Sequence, residues 1–173
     1  MINVLFVCLG NICRSPLAEA TFREIVIKNN LADKIQCDSA GTAGYHIGEL
    51  PDKRAIATAL KHGIKLTHLG RKISNSDLDA FQHIAVMDEQ NFEDVHNLYH
   101  KTKKMPPSAE KVFLIRDFDP EVRGVQEVPD PYYDGMPEFE NVYQILWRSG
   151  EKLLEHLIDK YKLSTDEEKE TEA

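Results

Sequence analysis

The chain has 173 residues and a formal net charge of −8, with 42% hydrophobic and 29% charged residues. This length fits one domain and is sufficient for a sizeable core. The acidic balance, without a basic patch, argues against nucleic acid or an anionic membrane as a partner, so an anionic ligand would have to be held by local groups in a pocket.

The cysteines and the chain ends bear on the protein's location. Three cysteines, an odd number, do not make the disulfide framework of a secreted domain. The apolar run after Met1 is too short to span a bilayer and follows no positively charged stretch. We therefore expect a cytoplasmic protein with one domain over residues 1–163. Residues 164–173 are polar and acidic, and we expect them to form a disordered tail.

The predicted elements alternate between strands and helices. An apolar run over residues 2–7 predicts a buried strand, and apolar side chains at helical spacing predict a helix over 16–29. The later patterns predict strand, helix, short helix, strand, helix, strand and long helix over residues 35–41, 52–61, 74–81, 83–87, 88–99, 111–115 and 137–161. This order predicts a three-layer α/β/α fold with a four-stranded parallel sheet and a ligand site beyond the carboxyl ends of the strands.

The stretch CLGNICRS, residues 8–15, connects the first strand to the first helix. Ser15 suits the N-cap of that helix and Pro16 its first position. Successive backbone N–H groups at such a junction can surround an anion, which predicts a phosphate-binding loop. Gly10 and Asn11 are the residue types that tolerate the positive φ that a tight loop needs.

Cys8 and Arg14 add chemistry to this loop. Arg14 can donate two N–H groups to two oxygens of a tetrahedral anion, with Cys8 beneath the central atom. The helix N-terminus, the amides, Arg14 and Ser15 all favour a thiolate, which would make Cys8 a nucleophile. The simpler alternative is a buried cysteine beside a salt-bridged arginine.

A second candidate group is Asp130, in the sequence VPDPYYDG over residues 128–135. Displacing an alkoxide or phenolate from phosphorus requires a proton donor. Two prolines stiffen this loop, and Val128, Tyr132 and Tyr133 give Asp130 partly apolar surroundings that favour the protonated carboxyl. The simpler alternative is an Asp-Pro turn before the last helix.

With these two pieces together, the chain resembles the low-molecular-weight protein-tyrosine phosphatases over roughly residues 3–157. The motifs that carry the resemblance are VCLGNICRSP at 7–16, DSAG at 38–41, GYHIG at 44–48, MD at 87–88 and DPYY at 130–133. The resemblance implies that Cys8 forms a cysteinyl-phosphate, that Arg14 binds the phosphoryl oxygens, and that Asp130 protonates the leaving group and then activates water. It also implies that Ser15 hydrogen-bonds the Cys8 sulfur.

The same resemblance implies further site residues. The phosphate-binding and pocket-lining set would be Leu9, Gly10, Asn11, Ile12, Cys13, Ser15, Tyr45, His46, Tyr132 and Tyr133. Ser39 and His68 would support the loop through Asn11, and Cys8 and Cys13 could form a reversible disulfide on oxidation. The implied substrate is a phosphotyrosine protein or a small aryl phosphate, with phosphate or vanadate as inhibitor and no metal or cofactor. We expect a monomer or a weak dimer.

Three other functions remain open. A thioredoxin-coupled arsenate reductase on the same fold would need further cysteines to relay a disulfide, and none follows Cys37. The phosphoarginine phosphatases of the family resemble this chain but have Thr at the positions of Leu9 and Ile12, and a single Phe in place of the tyrosine pair. A catalytically inactive phosphate-binding module is disfavoured because the three proposed catalytic residues are intact.

Overall fold

A four-stranded parallel sheet lies at the centre of the computed structural model, which describes residues 1–124 and 126–164. The strand order is β2-β1-β3-β4, with bounds β1 Ile2–Cys8, β2 Ile35–Gly41, β3 His83–Val86 and β4 Val112–Leu114. All neighbouring strands are parallel. The predicted fold class is therefore confirmed, and the carboxyl ends of β1, β2 and β3 meet at one edge of the sheet.

Helices cover both faces of the sheet. Their bounds are α1 Arg14–Lys28, α2 Lys53–Lys61, α3 Asp77–Ala80, α4 Glu89–Lys103 and α5 Met136–Tyr161, with a 3₁₀ turn at Ile115–Phe118. The side chains of β1 alternate between the two faces, as the strand geometry requires. Phe6 packs with α1 and α5 in one core, and Leu5 and Val7 pack with α3 and α4 in the other.

Three helix boundaries differ from the sequence prediction by more than one residue. The first helix begins at Arg14, and Ser15 is not its N-cap, because the Ser15 hydroxyl lies against the Cys8 sulfur instead. The third helix is shorter than predicted, because Asp77 accepts a hydrogen bond from the Ser74 amide and residues 74–76 form a turn before the helix. The fourth helix runs four residues further than predicted and ends at Lys103, followed by Lys104 with φ 61°; the basic residues in its last turn favour the helix C-terminus.

Residues 165–173, almost all of the predicted acidic tail, lie outside the described residues. The domain boundary at residue 163 and the state of the tail stay predictions. Within residues 1–124 and 126–164, none of the helices combines the length and the apolar character that crossing a bilayer requires.

The ends of β1 and β2 fix the position, relative to the sheet, of the loop that follows β1. Cys8 is paired with Gly41, and the Thr42 and Ala43 amides donate to the carbonyls of Cys8 and Leu9. A Cβ atom on Gly41 would lie 2.7 Å from the Leu9 carbonyl oxygen. Residue 41 must therefore lack a side chain, because the loop backbone occupies that space.

Candidate active site

Residues 8–15 form a tight loop around the Cys8 sulfur. Cys8 is 3% exposed, the Asn11 amide donates to its Sγ at 3.3 Å, and the Ser15 Oγ lies 3.0 Å from the same atom. Asn11 has φ 57°, as the sequence predicts. The matching prediction for Gly10 is wrong, since Gly10 is not among the described residues with positive φ. Gly10 instead leaves room for the His46 ring, which would lie 3.3 Å from a Cβ atom there.

The Asn11 side chain holds the loop from below. Its amide nitrogen donates to Ser15 Oγ at 2.8 Å and to Ser39 Oγ at 3.1 Å. Its amide oxygen accepts from His68 Nε2 at 2.7 Å and from the Arg71 backbone amide at 3.0 Å. Because the Arg71 N–H requires an acceptor, the orientation of the Asn11 amide is fixed.

The directions of the serine hydrogen bonds follow from this orientation. Ser39 accepts from Asn11 and donates to Glu19 Oε2 at 2.6 Å. Ser15 also accepts from Asn11, so its single hydrogen is available to the Cys8 sulfur at 3.0 Å, with the Ala40 carbonyl as a more distant acceptor at 3.4 Å. The network thus presents an O–H and an N–H donor to one sulfur atom.

His68 carries a positive charge in this network. Its Nε2 donates to Asn11, and its Nδ1 lies 3.1 Å from Glu19 Oε2 and 3.4 Å from Asp38 Oδ1, so both ring nitrogens are donors. Burial alone would lower the pKa of His68, but hydrogen bonds to Asp38 and Glu19 outweigh it and raise the pKa to about 9. Burial likewise acts to raise the pKa of Asp38, whereas bonds from His68 and Ser39 and the charge of Arg71 lower it to about 2.

The cluster around His68 contains residue types that can bind a metal ion. In the described part of the chain, Glu19, Asp38 and His68 bring three potential ligand atoms within 4.8 Å of one another. A histidine that donates from both nitrogens has no lone pair to offer a metal ion. The cluster therefore fits an ion-pair network better than a metal site.

Arg14 is held over the loop by partners at the end of the sheet. Its guanidinium is 4% exposed and donates from Nη1 to Asp88 Oδ2 at 2.8 Å and to the Val128 carbonyl at 3.1 Å. Asp88 in turn caps α4 by accepting from the Asn91 amide. Burial acts to lower the pKa of Arg14, but the charge of Cys8 and the bond to Asp88 outweigh it, so the pKa is raised.

Asp130 lines the same cavity as Cys8. Its Oδ2 is 3.5 Å from Arg14 Nη2, and its Oδ1 accepts from the Tyr132 amide at 3.1 Å. Its side chain is 49% exposed, so the apolar surroundings predicted from the sequence are only partial.

The three candidate catalytic side chains line one cavity of about 280 Å³. The remaining lining residues are Leu9, Gly10, Ile12, Cys13, Tyr45, His46, Tyr132 and Tyr133. The predicted residues Asn11, Ser15, Ser39 and His68 do not line the cavity but lie in the network beneath it. Tyr132 and Tyr133 stand edge to face, with centroids 4.9 Å apart, and form an aromatic wall.

Sequence reasoning assigned no role to two charged residues of the site. Glu19 lies on the buried face of α1, 4% exposed, and an acidic residue on that face was the available signal. Asp88 directly follows β3, where a ligand edge was expected. The pairing of Asp88 with Arg14 joins residues 74 positions apart, and no local pattern indicates it.

Together these features define the class: an α/β/α protein whose first strand leads through a phosphate-binding loop, with a buried cysteine and arginine, into a helix. The model of the family "Low molecular weight phosphotyrosine protein phosphatase" matches residues 3–163. The chain belongs to this family, and it is accordingly an enzyme, a hydrolase of the protein phosphatase type.

Individual relatives support the same assignment. The chain is 41% identical to the human low molecular weight phosphotyrosine protein phosphatase over 153 residues, which are 88% of this chain and 94% of the relative. It superposes on a crystal structure of a protein tyrosine phosphatase from Entamoeba histolytica with a TM-score of 0.84 at 36% identity, covering 94% of this chain and all of the other. The Drosophila arginine phosphatase has a TM-score of 0.80 at 34% identity, over 89% and 96% of the two chains.

His68 predicts a pH dependence of stability. Its folded pKa of about 9 lies above the ordinary value of 6.5, so its contribution is complete below pH 6.5 and is lost as the pH rises through 9. We expect the urea midpoint to fall more steeply between these pH values in the wild type than in His68→Gln, with the exposed His100→Gln as control. Equal pH slopes in the wild type and in His68→Gln would contradict the assignment.

Proposed function

We propose that this protein hydrolyses phosphotyrosine and related aryl phosphate monoesters through a cysteinyl-phosphate. One observation carries the proposal: the Cys8 sulfur, the Arg14 guanidinium and the Asp130 carboxyl line a single cavity. A nucleophile, an anion-binding group and a proton donor are the three groups that phosphoryl transfer to a side chain requires.

In the first step the Cys8 thiolate attacks phosphorus, and the bond from phosphorus to the phenolic oxygen breaks. Asp130 donates its proton to the departing oxygen, so that a phenol leaves instead of a phenolate. Arg14 and the amides of residues 9–13 bind the three phosphoryl oxygens. Because these donors are already in place, they stabilise the charge of the transition state without reorganisation. The contact with Asp88 keeps the Arg14 guanidinium in one orientation throughout the reaction.

In the second step water replaces the sulfur on phosphorus. Asp130, now a carboxylate, accepts the proton of the attacking water, and the phosphorus–sulfur bond breaks to give inorganic phosphate and the Cys8 thiolate. The Ser15 hydroxyl, 3.0 Å from the sulfur, stabilises the thiolate as it leaves. The cycle needs no redox step and returns every group to its starting state.

The cavity walls favour an aromatic leaving group. Tyr45, Tyr132 and Tyr133 line the cavity and offer faces and edges against which a phenyl ring can pack. Leu9 and Ile12 add apolar surface at positions where phosphoarginine phosphatases would have threonine. The likeness to the Drosophila arginine phosphatase makes phosphoarginine the second candidate substrate.

We also propose that Cys13 protects Cys8 from over-oxidation. Peroxide would convert the Cys8 thiolate to a sulfenic acid, and attack by the Cys13 sulfur would give a disulfide and release water. Burial, together with the charges of Asp52 and Cys8, raises the pKa of Cys13 to about 12. Cys13 is therefore a neutral thiol during turnover, and in the oxidation step its proton leaves with the sulfenic hydroxyl as water.

The nucleophile is tested with Cys8→Ser. We expect turnover of an aryl phosphate to be abolished, because a serine hydroxyl is not ionised here, while the folded variant still binds inorganic phosphate by calorimetry. Cys37→Ser, away from the cavity, serves as the control and should retain activity. Turnover by Cys8→Ser at the wild-type rate would overturn the assignment.

The proton donor is tested with Asp130→Ala. For an aryl phosphate with a weakly acidic phenol, we expect kcat to fall about 10²–10⁴-fold. The loss should be much smaller with a strongly acidic nitrophenol, which leaves without protonation. Asp134→Ala, in the same loop, is the matched control. Equal losses with both phenols would remove the role of proton donor from Asp130.

The substrate class is tested by steady-state kinetics on peptides that carry phosphotyrosine, phosphoserine or phosphoarginine at one position. We expect kcat/KM to be highest for phosphotyrosine, to be unchanged by a chelator, and to decrease in the presence of vanadate. A higher kcat/KM for phosphoarginine would replace the proposed substrate with the second candidate.

A further inference from the structure

The loop that carries Asp130 spans residues 129–135 and is called the acid loop below. Asp130 lies between β4 and α5, in a segment outside the helices and strands, and its side chain is half exposed. Before the segment, the Val128 amide donates to the Met87 carbonyl at 2.8 Å. After it, α5 begins at Met136. A proton donor on such a segment must be held in position to act at one oxygen atom.

Arg54 reaches this segment from α2. Its Nη1 donates to the Asp134 carbonyl at 2.6 Å, and its Nη2 donates to the Tyr132 carbonyl at 2.8 Å. Tyr132 in turn donates its amide to Asp130 Oδ1 at 3.1 Å. One guanidinium therefore fixes two carbonyls of the acid loop, and the residue between the guanidinium and Asp130 is hydrogen-bonded to both.

Asp52 fixes the direction of the Arg54 side chain. Its carboxylate caps α2 by accepting from the Arg54 amide at 2.9 Å, and it also accepts from Nε at 3.0 Å and from Nη2 at 2.9 Å. The guanidinium carbon lies 4.6 Å from the centroid of the Phe139 ring, which is fully buried in the first turn of α5. These contacts leave the guanidinium little freedom to rotate.

The same pair reaches the phosphate-binding loop. The Asp52 backbone amide donates to the Ile12 carbonyl at 2.8 Å. A continuous set of hydrogen bonds therefore runs from Ile12 through Asp52 and Arg54 to Tyr132 and the acid loop. Ile12 in the phosphate-binding loop and Asp130 are 118 residues apart in sequence, yet the same pair, Asp52 and Arg54, holds both of their loops.

We propose that Arg54 is a positioning residue that holds Asp130 and the Tyr132 wall at a fixed distance from the phosphate-binding loop. The role rests on the proposed function of Asp130 as proton donor. Arg54 does not line the cavity and acts through the loop backbone. We therefore expect that loss of the Arg54 guanidinium impairs protonation of the leaving group and leaves phosphate binding intact.

The test is Arg54→Met, which keeps an apolar stem over Phe139 and removes the hydrogen bonds. For a weakly acidic phenol we expect kcat to fall about 10²-fold, as for a misplaced catalytic group. For a strongly acidic nitrophenol kcat should change less than about threefold, and phosphate affinity should stay within about twofold. Lys53→Met, exposed on the same helical turn, removes the same charge and should change none of these values.

Two further variants separate this proposal from the one on which it rests. Arg54→Lys keeps the charge but cannot reach both carbonyls and Asp52, so we expect it to remain impaired; full activity would overturn the proposal. In the Asp130→Ala background, Arg54→Met should cause almost no additional loss of kcat for the weakly acidic phenol. An additional loss of the same size as in the wild type would overturn the role of Arg54, even if Asp130→Ala alone behaves as a proton-donor variant.

Discussion

The left-handed backbone at Asn11 is the constraint on which the site depends. This conformation directs the Asn11 backbone amide at the Cys8 sulfur, and asparagine is one of the few residues besides glycine that adopt it readily. Four hydrogen bonds hold the buried Asn11 side chain in place: it donates to Ser15 and Ser39, and it accepts from His68 and from the Arg71 backbone amide. The same network thus holds Asn11 in this conformation and brings two hydrogen-bond donors to the sulfur.

Charge in this protein is arranged locally and not by the overall composition. The chain has a net charge of −8, yet its candidate site has an anion-binding loop with Arg14 above it and the His68 cation beneath. Asp88, Glu19 and Asp38 pair with these cations and keep them oriented within buried surroundings. An unpaired cation would lose its orientation or its proton on burial, so the nearby acids help to maintain a site for anions.

The sequence indicates those features of the fold and the site that have a local cause. Apolar periodicity predicts the four parallel strands and the main helices, and the strand–loop–helix junction predicts where an anion would bind. Contacts across the fold have no such pattern: Asp88 meets Arg14, and Arg54 meets the Asp130 loop, only once the chain has folded. Ser15 shows the limit of local rules, since a residue suited to cap a helix contacts the neighbouring sulfur instead.

The bare backbone of Gly41 makes the alignment of β1 and β2 a functional property. If β2 slipped by one residue, Ala40 would stand beside Cys8, and its methyl group would occupy the space that the Leu9 carbonyl now fills. The loop would then have to leave its place at the end of the sheet, and the Asn11 amide that now points at the Cys8 sulfur would move with it. Correct strand pairing during folding therefore decides whether the enzyme can bind its substrate, before any catalytic side chain is considered.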